Sequence, residues 1–275
     1  MKKVALFVSL AVVLIIMVGC SALDKLNKNK NGSGTPPAFD LAGSWEVVAA
    51  STSNPGVVSI VEFNVPQGTN GNISVPAQEG IWNTSATVLG NCLGVIPGNP
   101  QGRVVATVGS DNIQGTFTET DPAGDTATFV INAPLSSATT FSGTYAPSGP
   151  MPAGCSDAGN YVATKASSLS GNYAGPLTYP DGSHETVSVT MTEDAAYNVT
   201  ATGTATGGMQ DGPINLTGTV TGNLAVLHGT DKSGKPLTLF AWWNVNYAGP
   251  AGGASLVTLQ IMDNTGYQYG GLARQ

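Results

Sequence analysis

The chain has 275 residues, of which 41% are hydrophobic and only 10% charged, and its formal net charge is −7. Beyond residue 38 five basic residues stand against 16 acidic ones, a net charge near −11. A nucleic-acid partner would require clusters of Lys and Arg to displace counterions from phosphates. Because this part of the sequence has no such cluster, nucleic acid is excluded as a partner, and the abundance of Gly, Thr, Ser, Asn and Val is typical of short strands joined by tight turns.

The chain begins with an export signal that ends in a cysteine. Two lysines precede an apolar run from Val4 to Val18, which is shorter than the ~20 residues of a membrane-spanning helix. Gly19 and Cys20 follow, and this ending resembles the lipobox of bacterial lipoproteins, in which the cysteine is acylated and becomes the first mature residue. The resemblance implies lipidation of Cys20 and, because Ser21 rather than Asp follows it, a place at the outer membrane of the cell envelope. An ordinary signal peptide is the alternative.

Residues 20–38 predict a flexible tether. They are rich in Asn, Lys, Gly and Pro and contain little that could build a core. The lysines would either contact anionic head groups or only keep the linker solvated. We therefore assign residues 1–19 to the signal peptide and residues 20–38 to the lipidated tether.

Two landmarks recur in the remainder of the chain. The Leu-x-Gly-x-aromatic segment Leu41–Trp45 returns 128 residues later as Leu169–Tyr173. Farther along, Thr120–Gly124 is echoed by Thr230–Gly234. Two matches in the same order predict an internal duplication, with chance similarity in a Gly- and Thr-rich chain as the alternative.

The duplication predicts one domain over residues 39–166 and a second over residues 167–275. Within each copy, strand signals recur every 8 to 14 residues between turn-forming segments. In Glu185–Glu193, for example, Val and Met alternate with Thr and Ser, the pattern of a strand with one wet face. The strands predicted in the second copy are 171–179, 185–193, 195–206, 215–222, 223–230, 237–246, 255–262 and 266–273.

About eight antiparallel strands per copy can close into a small barrel without exposed edges. The Leu-x-Gly-x-aromatic first strand, followed by a meander of Thr- and Gly-rich strands, resembles the lipocalin-like, up-and-down β-barrel domains of bacterial lipoproteins. We therefore expect an all-β chain with two tandem antiparallel up-and-down β-barrels. A β-sandwich is the alternative, because strand number and alternation do not decide closure.

Cys92 and Cys155 remain once Cys20 is acylated, an even number in an oxidising compartment. We expect them to form a disulfide. Two free thiols or a metal site are the alternatives, although two cysteines without a nearby histidine do not complete a metal site.

No catalytic or metal-binding motif is evident, and no cofactor or metal is expected. His184 and His228 do not lie at ligand spacing. Asp121–Asp125 could be imagined as a calcium loop. Its duplicate has Lys235 in place of Asp125, which favours a hairpin turn.

An alternative is that the chain is an enzyme whose catalytic residues are acidic residues of the second copy. Asp181, Glu185, Glu193 and Asp194 could supply the general acid and base of a hydrolase that acts on envelope glycans. All four lie in predicted turns or at strand ends, so we favour surface solubility as their role.

An aromatic strand is the best candidate for binding. In residues 237–245, alternation turns Phe240 and Trp242 to the outside, where they would pack against the other copy or bind a ligand or protein. The inner face would comprise Leu237, Leu239, Ala241, Trp243 and Val245. We thus expect a membrane-anchored lipoprotein that binds an apolar small molecule or an envelope component without catalysis.

Overall fold

A computed structural model describes most of the chain after residue 38. The described residues are 39–52, 58–69, 71–79, 102–120, 124–152, 157–179, 181–208, 211–230, 232–242, 256–263 and 266–275. They are all-β, and none of them belongs to a helix long and apolar enough to cross a membrane.

The first eight strands form a closed barrel in which each strand pairs antiparallel with the next and the eighth returns to the first. They are Gly43–Ser51 (β1), Val58–Val65 (β2), Asn72–Glu79 (β3), Gly102–Val108 (β4), Asn112–Thr120 (β5), Thr126–Pro134 (β6), Thr140–Pro147 (β7) and Gly159–Lys165 (β8).

The next eight strands repeat this up-and-down order in a second closed barrel. They are Gly171–Thr178 (β9), His184–Glu193 (β10), Asn198–Thr206 (β11), Gly212–Thr221 (β12), Leu224–Thr230 (β13), Pro236–Trp242 (β14), Leu256–Asp263 (β15) and Gly266–Arg274 (β16). The prediction of tandem up-and-down barrels is confirmed, and closure decides against the sandwich.

The strands predicted in the second copy match the observed ones in order, with differences at their ends. The strand expected from residue 195 begins at Asn198, because Asp194–Tyr197 forms a turn in which Tyr197 has a φ of 63°. That turn is closed by hydrogen bonds from Tyr197 N to Asp194 O (3.0 Å) and from Asp194 N to Asn198 O (2.9 Å). The strand expected from residue 215 begins earlier, at Gly212.

The alternation along β10 shows how each barrel fills its interior. Val187, Val189 and Met191 are buried in the second core, while the intervening Thr and Ser residues are exposed. Because successive side chains of a strand point to opposite faces, one face lines the lumen and the other meets solvent. Each barrel has its own cluster of buried apolar residues.

The Leu-x-Gly-x-aromatic landmark has the same structural role in both barrels. Trp45 donates from Nε1 to the carbonyl of Leu41 (2.7 Å), and the Tyr173 hydroxyl donates to the carbonyl of Leu169 (3.0 Å). In each barrel the aromatic residue therefore ties the segment before the first strand to that strand. This equivalence supports the duplication.

The intervening glycine of that landmark makes room for the last strand of each barrel. A Cβ on Gly43 would lie 2.2 Å from Cε of Lys165, and one on Gly171 would lie 2.8 Å from Nε of Arg274. Lys165 and Arg274 belong to the strands that close the first and second barrels. Each glycine thus leaves room for the flexible end of a side chain from the closing strand, and at Gly43 the φ of +145° also favours glycine.

The second landmark also falls at equivalent positions. Thr120 ends β5 and Thr230 ends β13, the fifth strand of each barrel. In the connections that follow, Gly124 and Gly234 have φ values of 93° and 81°. Such backbone angles favour glycine, so these glycines fit the hairpin interpretation of this segment.

Candidate functional site

The interior of the first barrel is an apolar cavity lined by aromatic rings. Its volume is about 70 Å³, and roughly 10–15 Å³ of such space holds one water molecule. Apolar cavities of modest size can take up small apolar guests. The rings that line it are those of Trp45, Phe63, Phe117, Phe129, Phe141, Tyr145 and Tyr161.

Strand alternation places these rings in the lumen, and they contact one another there. Phe141 lies between Trp45 and Tyr161, with ring centroids 5.2 Å and 6.4 Å away. On another part of the wall, Phe129 contacts Tyr145 edge to face at 5.9 Å. Edge-to-face contacts are among the favourable arrangements of aromatic pairs, so these contacts help to hold the rings in place.

A polar cluster lies at one end of this lumen, where β1 ends and β8 begins. The Tyr145 hydroxyl donates to Oδ2 of Asp157 (2.6 Å), and Ser51 Oγ donates to Oδ1 of the same residue (2.7 Å). Burial, followed by the hydrogen bond and the charge of Asp157, raises the pKa of Tyr145 above its usual value. The phenol therefore keeps its proton and acts as a donor.

Tyr161 differs from Tyr145 because its hydroxyl is unpaired. Tyr161 is 5% exposed, lines the lumen, and its hydroxyl has no hydrogen-bond partner among the described residues. Burial raises the pKa of Tyr161, so the proton is retained. An unsatisfied buried polar group costs about 1–3 kcal/mol. A ligand with an acceptor oxygen would remove that cost, so the Tyr161 hydroxyl is a candidate anchor point in the lumen.

The cavity that the described residues of the second barrel enclose is smaller, and no aromatic ring is among its described lining residues. Its volume is about 30 Å³, and it is bordered mainly by Val, Leu, Ala and Met side chains. Glu185 is buried at the border of this cavity, where its carboxylate accepts a hydrogen bond from the Tyr179 hydroxyl. The expectation that Glu185 serves surface solubility is wrong, because it shares the inward face of β10 with Val187.

The other acidic residues proposed for hydrolysis serve local structure. Asp181 accepts hydrogen bonds from Ser183, and Asp194 accepts them from Ala196 and Asn198. These bonds lower the pKa of both aspartates.

The four acidic residues lie in two groups rather than at one place. Glu193 Oε2 accepts a hydrogen bond from Leu169 N (2.7 Å). Asp181 and Glu185 lie at one end of β10, whereas Glu193 and Asp194 lie at the other. Seven strand residues separate Glu185 from Glu193, and at ~3.3 Å per residue the two ends of β10 are far apart.

Of the aromatic strand predicted over residues 237–245, the structure describes residues 237–242. Leu237, Leu239 and Ala241 belong to the second core, as predicted for the inner face of β14. Phe240 and Trp242 alternate with them and are half-buried.

On the neighbouring strand the register pairs Phe240 with Val226 and Trp242 with Leu224. Trp243 and Val245 lie outside the described residues, as do Cys20, Cys92 and Cys155.

The two histidines are exposed, and each has a hydroxyl neighbour. His184 Nδ1 lies 3.1 Å from Thr178 Oγ1, and His228 Nδ1 lies 3.2 Å from Thr238 Oγ1. Within the described ranges, no three His, Cys, Asp or Glu side chains converge in a way that could hold a metal ion.

Sequence reasoning missed the polar groups of the first lumen. Alternation in Gly159–Lys165 would have placed Tyr161 inside, since the buried residues of β8 alternate with exposed ones. No sequence signal shows that one phenol is paired with Asp157 and another is left unpaired. No protein-family model matches the chain, and none of the curated proteins is significantly similar to it.

Proposed function

We propose that this chain is a lipid-anchored protein of the bacterial envelope that binds a small, largely apolar molecule in the lumen of its first barrel. The observation that carries the proposal is a ring-lined cavity that contains the Tyr161 hydroxyl, which has no hydrogen-bond partner among the described residues. Pockets that are mostly apolar, with a few placed polar groups, are the usual form of small-molecule sites. The acidic residues of the second barrel give no support to a hydrolase.

The cavity volume narrows the class of ligand. About 70 Å³ is roughly half of a ~150 Å³ cavity that accepts benzene. A short unbranched alkyl chain fits this space better than a ring does. A carbonyl on that chain would accept the hydrogen bond from Tyr161, so we expect a small aliphatic ketone, aldehyde or ester, or the end of a longer chain.

Xenon and short n-alkyl ketones test the proposal on the protein without its signal peptide. Xenon reports any small apolar cavity through its NMR shift, whereas ketone binding, followed by ligand-observed NMR, also reports the hydrogen bond. Val47→Phe adds a ring to the lumen wall and should abolish both signals. Val105→Phe is the matched control, because Val105 is 45% exposed on the outside of the same barrel.

Tyr161→Phe distinguishes binding by the apolar cavity from binding by the Tyr161 hydroxyl. This variant should keep xenon binding and weaken ketone binding about 2- to 10-fold, the effect of one hydrogen bond of ~0.5–1.5 kcal/mol. Absence of xenon binding in the unmodified protein would contradict the cavity proposal. Equal ketone affinity in the unmodified protein and Tyr161→Phe would remove Tyr161 from it.

Membrane attachment has its own experiment. Cys20 follows Gly19 after the apolar run, and acyl chains stabilise membrane attachment by ~0.8 kcal/mol per buried methylene. Cys20→Ser should move the protein from the membrane fraction to the soluble fraction. Unchanged membrane association of this variant would contradict lipidation at Cys20.

A further inference from the structure

Two glutamates lie side by side on the outer wall of the first barrel and are nevertheless buried. Glu46 on β1 and Glu62 on β2 are directly opposed in the antiparallel register. They are 4% and 0% exposed. Both alternate with residues that line the lumen, such as Trp45 and Phe63, so their own side chains point away from it. Outward-pointing carboxyl groups are normally solvated, and these two require a cover.

The β12–β13 turn of the second barrel supplies that cover. The Asn223 side chain donates from Nδ2 to Oε2 of Glu46. A Cβ on Gly222, whose φ is +60°, would lie 2.7 Å from Cβ and Cγ of Glu62 and 2.8 Å from the carbonyl oxygen of Trp45. Only glycine allows the turn to approach this closely.

Further hydrogen bonds around the two carboxyl groups hold the barrels together. Asn64 Nδ2 donates to the carbonyl of Val220 (2.7 Å), and Gly222 N donates to Asn64 Oδ1 (3.3 Å). The Tyr197 hydroxyl donates to the carbonyl of Val65 (2.7 Å). The carboxyl pair is therefore enclosed by a specific contact rather than by a chance approach of surfaces.

The groups that face the pair, among the described residues, include no cation. Beside it on β3 is the Gln78 amide, whose Nε2 lies 3.4 Å from Oε2 of Glu62. On β8 the register partner of Glu46 is Thr164, and the second barrel contributes Gly222 and the Asn223 amide. The charge of Glu46 acts on Glu62, and Oε1 of Glu62 has no hydrogen-bond partner in this part of the chain. The exposed His228 of β13 lines, together with Gln78 and Asn64, a cavity beside this contact.

Two adjacent carboxyl groups without a cation favour bound protons over ionisation. Burial raises the pKa of Glu46 to about 7. Burial also raises the pKa of Glu62, and the charge of Glu46 raises it further, against hydrogen bonds from Gln78 and from the backbone of Asn223. Loss of these protons would leave two buried charges side by side.

We propose that Glu46 and Glu62 form a proton-dependent contact between the two barrels, closed when the carboxyl groups are protonated and opened when they ionise. Opening would move the 222–223 turn away from the wall of β1 and β2. The inference is independent of ligand binding, because it concerns the outer side of that wall.

NMR of the protein without its signal peptide tests this directly. The amide signals of Gly222 and Asn223 report the turn, and the side-chain carboxyl signals of Glu46 and Glu62 report their titration. Between pH 5 and pH 9 both sets should change together, with a midpoint near or above neutrality. No change of the amide signals over this range would overturn the proposal.

Isosteric variants separate ionisation of the pair from other effects of pH. The double variant Glu46→Gln and Glu62→Gln keeps the shape of the protonated pair, so the turn signals should stay in their low-pH positions at pH 9. Asp181→Asn, at an exposed aspartate of the second barrel, is the matched control and should retain the transition. A transition that persists in the double glutamine variant would contradict the mechanism.

A third variant, Gly222→Ala, tests the contact even if the double glutamine variant does not fold. Gly222→Ala should displace the turn without altering either carboxyl group. The midpoint of the Glu46 carboxyl titration should then move toward the value of an ordinary glutamate. An unchanged midpoint would show that the turn does not cover the pair. Added Ca²⁺ should not close the contact at pH 9, and closure by Ca²⁺ would identify a cation site and overturn the proton mechanism.

Discussion

The two barrels share strand order, strand number and the hydrogen bond of the Leu-x-Gly-x-aromatic start, yet their interiors differ. The first lumen carries a wall of aromatic rings around about 70 Å³ of free space. Among the described residues, the second is bordered mainly by small and aliphatic side chains around about 30 Å³. Backbone topology therefore fixes which positions point inward, whereas the size and shape of the side chains there decide whether a ligand site remains.

The difference extends to polar groups. In the second barrel Tyr173 donates to Leu169 and Tyr179 donates to Glu185. In the first barrel Tyr145 has Asp157, and Tyr161 has no partner among the described residues. Because buried polar groups are nearly always paired in native structures, the unpaired hydroxyl of Tyr161 inside the first lumen supports the proposal that a ligand binds there.

Removal of the Trp45 ring should have a large effect on the first barrel. Trp45 is 1% exposed, contacts Phe141 and donates to Leu41. Trp45→Ala should lower the free energy of unfolding by about 3–5 kcal/mol, as buried Trp truncations do. Trp242→Ala, at a half-buried position on the outside of the second barrel, should cost about 1–2 kcal/mol. Denaturant melts of both variants test the contrast, and equal losses would contradict it.

Trp243 extends this comparison to the second barrel. Alternation along residues 237–245 predicts that Trp243 points inward, so Trp243→Ala should also cost about 3–5 kcal/mol. The same denaturant melts check this value. A loss as small as that of Trp242→Ala would show that Trp243 is not a core residue.

A disulfide would distinguish the first barrel from the second, which has no cysteine. Cys92 and Cys155 lie in the segments between β3 and β4 and between β7 and β8. In an up-and-down barrel both connections belong to the same end. Closing the ~63-residue loop should stabilise the first barrel by about 4 kcal/mol before strain is subtracted.

Peptide mapping checks the disulfide directly. Without reduction it should recover one linked pair, Cys92 with Cys155. With reductant, the unfolding midpoint of the first barrel should fall while that of the second stays constant. Labelling of both cysteines as free thiols in the freshly isolated protein would contradict the pairing.

The acidic residues should give the two regions opposite pH dependences. Glu46 keeps its proton in the folded state up to a pKa of about 7, whereas in the unfolded chain it loses it near 4.5. The free energy of unfolding should therefore fall as pH rises through that window, by up to about 3 kcal/mol at 1.36 kcal/mol per pH unit.

The exposed Asp181 and Asp194 have lowered pKa values instead. Their stabilising contribution is lost as pH falls below the usual range of aspartate, so it does not overlap with that of Glu46. Urea melts at pH 5 and pH 8, on the native protein and on the double variant Glu46→Gln and Glu62→Gln, measure the effect of the pair. A native protein that is more stable at pH 8 than at pH 5 would contradict the sign.

The sequence predicted the fold because its evidence is local and repeated. Alternation in Glu185–Glu193 and the paired landmarks at Leu41 and Leu169 depend on neighbouring residues only. The buried polar groups could not be predicted in this way, because their surroundings come from residues that are distant in the sequence. Glu46 and Glu62 look like ordinary surface acids in the sequence, and their burial requires Gly222 from the other barrel. The unpaired hydroxyl of Tyr161 likewise depends on which side chains surround it in space.

The smallest predicted effect compares one substitution in the two barrels. Tyr161→Phe removes a hydroxyl that has no partner within the described residues, so without ligand it should leave stability unchanged or raise it slightly. Tyr173→Phe removes the donor to the Leu169 carbonyl (3.0 Å) and should cost about 1 kcal/mol. Denaturant melts of both variants in ligand-free protein give the comparison. An equal loss in the two would mean that Tyr161 has a structural hydrogen bond, and the case for a ligand anchor in the first lumen would fail.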